Sequence, residues 1–277
     1  MESNHETMSQ PEKIAIEPIN LLERLQAGED FSAIMKELPE AAFAVKKKCA
    51  CCSDGRFEPS DAIMEKSGLA GQGILLLFSP AEREAFINNL KSRADRPEAI
   101  ASHVGCGAAG LAFKELQKMI AEERSVDEIF SWLGISALPE TSDELGEIFT
   151  KRLAQEVGSE YYHMADFAPG KEKHNESGII VSAIDFDERF IKVGDQQFFN
   201  SASAQYGVSD EYLRTELTKL AEIAFHHGKM EHDLESPFYL LLLGNSGNMD
   251  RLMKVAALVA SDPQFNGRIK IEASIRG

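Results

Sequence analysis

Three of the chain's four cysteines fall in the run Cys49-Ala-Cys-Cys-Ser-Asp-Gly-Arg56, and the fourth lies in Ser102-His-Val-Gly-Cys-Gly-Ala108. Together the two runs offer thiolates, an imidazole, a carboxylate and a guanidinium. Thiolate and imidazole are ligands that zinc prefers. Spacing narrows the set. Cys52-x-Asp54-x-Arg56 puts a carboxylate two residues beyond a thiolate, and His103-x-x-Cys106 puts two ligands on one tight turn. The expected centre is one zinc held by Cys52, His103 and Cys106, tuned by Asp54 and Arg56. Three protein ligands leave the fourth position open, which is the pattern of a catalytic zinc, and the metal brings the ionisation of a bound water toward neutral pH. Asp54 is then placed to orient that water, and Arg56 to hold Asp54 in a charge-assisted pair.

These residues need elements that bring them together. Residues 41–52 read as a buried strand whose carboxyl end delivers Cys52 and Asp54, followed by the Ser-Asp-Gly turn signal. Residues 73–78 read as a second buried strand. Ser79-Pro-Ala-Glu82 then opens a helix, with Ser at the N-cap, Pro at N1 and Glu at N3. A short third strand over 99–102 ends at His103, and a helix follows from about 109 to 122. The 51 residues from Cys52 to His103 suffice for one strand–helix–strand excursion back to the same sheet edge, where open α/β sheets place their sites. Further on, residues 125–160 read as helical with a break near Pro139. Gly178-Ile-Ile-Val-Ser-Ala-Ile-Asp-Phe186 reads as a strand, turning at Asp187-Glu188 into a hairpin toward 190–193. Helices over 210–227 and 249–260, and strands over 238–243 and 268–275, complete the pattern. Strands separated by helices imply an α/β fold with a largely parallel central sheet flanked by helices. No internal repeat is read.

The division expected is a disordered polar tail (1–14), a helical arm (15–40) and a single α/β zinc-binding domain (41–277). In the arm, Leu21, Leu22, Leu25 and then Phe31, Ile34, Met35, Leu38 recur at helical spacing, with Asp30 as N-cap of the second helix and Pro39 ending it. A net charge of −16 repels phosphate backbones and excludes nucleic acid as a partner. The longest apolar run, 238–243, is too short to span a bilayer. The polar, acidic N-terminus does not read as a signal peptide, and four cysteines in 277 residues make no disulfide framework, so a reducing, cytoplasmic location is expected.

The two cysteine runs resemble the β-class carbonic anhydrases, which carry Cys-x-Asp-x-Arg at the end of one strand and His-x-x-Cys-Gly on the next ligand loop. The matching residues are Cys52, Asp54, Arg56, His103, Cys106 and Gly107. The chain departs from the common pattern at Gly55, at Ser102 and in Phe78-Ser-Pro-Ala, so the resemblance is to a divergent member; the limiting-carbon-dioxide-inducible, θ-type relatives share the metal logic. The resemblance implies a zinc lyase that hydrates carbon dioxide to bicarbonate, and a homodimer or higher homo-oligomer in which the arm helices pack on the partner. It also implies that Asp54 either contacts the zinc-bound water or takes the fourth position in a closed state.

Plainer readings stand beside these. Cys49 and Cys51 have the opposite strand parity from Cys52 and read as packing residues, although either could close a structural zinc site. In that case the chain is a non-catalytic relative with a binding or scaffold role. Asp54–Arg56 could be an ordinary ion pair. His226, His227 and His232 read as serving a helix end or solvent. Gly244-Asn-Ser-Gly-Asn248 lacks a phosphate-binding fingerprint and reads as a tight turn. Lys46-Lys47-Lys48 is too short for a nucleic-acid patch.

Overall fold

The computed structural model describes residues 18–44, 48–52, 54, 65–68, 72–93, 96–164, 176–192, 197–227 and 237–276. The expected polar tail lies outside them. The described chain opens with β1 (Ile19–Asn20), α1 (Leu21–Gln26) and α2 (Phe31–Glu37). Asp30 caps α2 as its spacing predicts, accepting from the Ala33 amide at 2.8 Å. A first parallel sheet follows, built from β2 (Lys48–Cys51), β3 (Glu65–Gly68), β4 (Ala99–His103) and β5 (Glu160–Met164), in the order β3-β2-β4-β5. Its helices are α3 (Pro80–Ser92), α4 (Gly107–Ala121), α5 (Asp127–Leu133) and α6 (Ser142–Val157). The second parallel sheet contains β6 (Glu176–Ser182), β8 (Gln197–Ser201), β9 (Phe238–Gly244) and β10 (Ile269–Ile275), in the order β10-β9-β6-β8. The short β7 (Ile191–Lys192) pairs instead with β1, and α7 (Asp210–His227) and α8 (Met249–Ala260) cover the second sheet.

The α/β class with parallel sheets is as the sequence implies. Three local expectations are corrected. Residues 72–77 form a 3₁₀ helix rather than a strand. The strand next to β2 is β3, whose polar sequence Glu-Lys-Ser-Gly hides it among apolar runs. Asp187-Glu188 leads into a 3₁₀ turn and a parallel pair with β1, not a hairpin. The two sheets also share a strand order: counted in chain order, each runs second, first, third, fourth strand across its width, once β7 is set aside. The outer strands β3 and β8 lie side by side where the two sheets meet.

Packing explains why β6 and β9 read as unbroken apolar runs. Strands covered on both faces lose the polar alternation of half-exposed ones. Ile179, Val181, Leu240 and Leu242 face the core shared with α7 and α8, while Ile180, Tyr239, Leu241 and Leu243 face Leu21, Phe31, Ile34 and Met35 of α1 and α2. So the arm helices pack on this chain's own second sheet. In the first sheet Ala50 and Ile100 face α4 and α6, whereas Cys49, Cys51, Ala99 and Ala101 form a separate cluster on the other face.

Candidate metal centre

β2 and β4 are neighbours with Ala50 beside Ile100, so Cys52 arrives at the sheet's carboxyl edge level with Ser102 and next to His103. The chain then turns through Gly105, whose φ of +63° is left-handed and suits a residue without Cβ. The Gly105 amide donates to Asp143 Oδ1 at 2.9 Å, which ties the turn to the start of α6. Cys106 is the N-cap of α4. As a result one ligand atom each from Cys52, His103 and Cys106 lie within 4.8 Å of one another. Zinc bonds of about 2.3 Å to sulfur and 2.0–2.1 Å to nitrogen place tetrahedral ligand atoms about 3.5–3.8 Å apart, so the three fit a zinc with small adjustments.

Their electrostatics suit a cation. The Cys52 thiol donates to Cys106, which pushes Cys52 up, further than burial alone, and pulls Cys106 down. The Ala108 and Ala109 amides at the start of α4 also favour the Cys106 thiolate. Burial depresses His103, but its bond to Cys52 and the charges of Cys52 and Asp54 outweigh that and raise it. His103 Nδ1 donates to the Val104 carbonyl at 2.9 Å, which leaves Nε2 as the nitrogen that could take a metal. Asp54 is 2 % exposed and close enough to act on both His103 and Cys106. Arg56 lies outside the described residues. A cavity of about 20 Å³, lined by Cys52, Ser102, His103, Cys106, Phe149 and Thr150 among others, adjoins the ligands and has room for roughly one water-sized molecule.

Two features escaped the sequence reading. Ser102 Oγ bonds Tyr161 Oη at 2.8 Å and His163 Nδ1 at 2.9 Å, and His163 Nε2 lies 3.9 Å from Glu147. This row of side chains leads from the ligand edge through β5 to a half-buried imidazole. Its signal is weak in sequence, because β5 itself is not apolar. The other is Glu216 on α7, 1 % exposed, accepting from Ser201 Oγ at 2.6 Å and pushed by burial up to about 8. Its position among Leu213, Leu217 and Leu220 on one helix stripe was the legible clue. The histidine pair at 226–227 and Lys46-Lys47-Lys48 yield no described side chains.

No helix among the described residues is long and apolar enough to cross a membrane. The chain matches no protein-family model, no curated protein and no solved structure.

Proposed function

We propose that this protein is a zinc-dependent lyase that reversibly hydrates carbon dioxide to bicarbonate. The observation that carries the reading is the convergence of Cys52, His103 and Cys106 within 4.8 Å, with the carboxylate of Asp54 buried beside them. When bound, zinc supplies the Lewis acidity that makes a water nucleophilic near neutral pH.

The chain's own residues do the rest. Cys52, His103 and Cys106 would hold the cation. Asp54 would accept a hydrogen bond from the nucleophile and so fix the direction of attack, with Arg56 as its charge-assisted partner. The small cavity suits a small apolar substrate that needs little binding energy. Hydration releases one proton per turnover, and Ser102, His163 and Glu147 form a path for it toward solvent. A structural zinc would need a fourth protein ligand, and Cys49 and Cys51 pack on the opposite face of the sheet.

A stopped-flow hydration assay on metal-quantified protein tests this. One equivalent of zinc with hydration above buffer background is expected. One equivalent with no activity at any pH would instead favour the binding or scaffold role.

A further inference from the structure

The two sheets share more than a strand order. β6 lies against β9 with Val181 beside Leu242, facing α7 and α8 as Ala50 and Ile100 face α4 and α6. On that register and face Ala183 stands where Cys52 does and Asn245 where His103 does. The third ligand also has a counterpart, since Cys106 is the N-cap of α4 and Asn248 the N-cap of α8. The helices after each sheet's second strand, α3 and α7, both follow a 3₁₀ turn. Both begin at a serine, Ser79 or Ser209, whose hydroxyl accepts from the amide three residues on. Finally, Asp54-Gly-Arg56-Phe57 returns as Asp187-Glu-Arg189-Phe190. There the pair is visible: Asp187 is 3 % exposed and takes Arg189 Nε at 2.9 Å and Nη2 at 2.6 Å.

We propose that residues 176–276 are a second copy of the metal-binding unit, that Asn248 has closed its metal position, and that the copy serves the first as a permanent partner within one chain. Asn248 Oδ1 accepts from the Asn245 amide at 2.8 Å, and Nδ2 donates to the Ala183 carbonyl at 3.3 Å. One neutral amide thus ties the end of β6 to the β9–α8 turn, the two places that Cys52 and the His103–Cys106 turn occupy in the first unit. Closure is steric as well. A Cβ at Gly244, the residue before the His103 counterpart, would sit 2.2 Å from Asn248 Oδ1, so the Asn248 side chain fills the space at the end of β9.

The partner role rests on three contacts. The helices that precede the first unit, α1 and α2, lie on the sheet of the second. β3 and β8 adjoin. Ile223 of α7 backs the first unit's ligand turn, since a Cβ on Gly107 would meet its Cδ1 at 3.1 Å. What the second copy has lost follows from the zinc reading of the first, but the duplication itself stands on topology and register.

The test uses the full chain with zinc. Cys52→Ser/Cys106→Ser should bind no zinc, and adding Ala183→Cys, Asn245→His and Asn248→Cys to it should restore about one equivalent. A full equivalent in the double variant, or none in the grafted variant when its circular dichroism matches wild type, overturns the proposal. Should the graft not fold, Asn248→Ala decides. With chelator present it should lower the melting temperature by about 2–4 °C or more, because the bridge it removes needs no metal. An unchanged melting temperature overturns the bridge. In sedimentation the wild type should run as a 30.6 kDa monomer, and an obligate dimer overturns the partner role. Absence of zinc from the wild type would defeat the zinc reading alone, leaving the Asn248→Ala and sedimentation results to judge the duplication.

Discussion

Glu216→Gln should make the protein more stable at neutral pH and remove much of its pH dependence. Burial raises the folded Glu216 to about 8 from an ordinary 4.5. Between those values the folded chain keeps a proton that the unfolded chain has released. Stability contributed at this position is therefore fully present below about pH 4.5 and falls as pH rises, by about 1.36 kcal/mol per unit, until it levels off above about 8. At pH 7.5 the accumulated loss is on the order of 4 kcal/mol. Glutamine has no proton to lose and can still accept from Ser201, whose Oγ lies 2.6 Å from Oε1. Glu216 Oε2 has no partner within hydrogen-bond distance among the described residues, with the Ser203 hydroxyl nearby. The amide nitrogen in its place is expected to be equally unsatisfied, a cost that is the same at every pH and cancels in a difference. Urea unfolding of both proteins, with chelator, at pH 5.5 and 7.5 measures that difference. It should grow by about 2.5 kcal/mol in favour of the variant between the two pH values. Parallel profiles for the two proteins would show that Glu216 is ionised when folded, and would refute the reasoning.

Four further outcomes are expected. Cys52→Ser and Cys106→Ser should each lose zinc by metal analysis, while Cys49→Ala and Cys51→Ala keep it. Arg56→Ala should retain zinc but lose hydration, with X-ray absorption finding an added oxygen ligand from Asp54; full activity would end the proposed Asp54–Arg56 arrangement. His163→Ala should slow turnover in dilute buffer by up to about 100-fold and recover with added imidazole, whereas equal loss in concentrated buffer would assign it a structural role. Arg276→Ala should lower the urea midpoint, since Arg276 lies 3.7 Å over the Phe43 ring and donates to the Met35 carbonyl at 3.1 Å.

Where local rules and tertiary packing agree, the structure was legible from the sequence. The Ser79 capping box, the Asp30 cap, the apolar run of β9 and its turn into α8 all state their structure within a few residues. The cluster of Cys52, His103 and Cys106 was legible because thiolate and imidazole have few other reasons to recur at such spacing. What stayed hidden depends on distant context. Leu75 and Leu76 are as apolar as a strand, yet they pack as a 3₁₀ turn beneath α4. β3 is polar and is a strand because β2 offers it an edge. The shared strand order was hidden because the second sheet carries none of the first sheet's cysteines. Only the Asp-x-Arg-Phe tetrad survives in the letters, and a chain searched for cysteines passes over it.

The clasp between the two ends of the chain has a consequence for biosynthesis. Arg276 reaches Met35 across 241 residues, and α1 and α2 rest on a sheet completed by the last strand. At about 5–20 residues per second, the ribosome makes the arm roughly 10–50 s before its landing surface exists. During that interval Leu21, Phe31, Ile34 and Met35 have no native place to go. Such distant pairings slow folding, and they make the nascent chain a client for chaperones. A product cut short before β10 would carry the arm with its docking sheet incomplete, so the loss of β10 is exposed at an element made long before it.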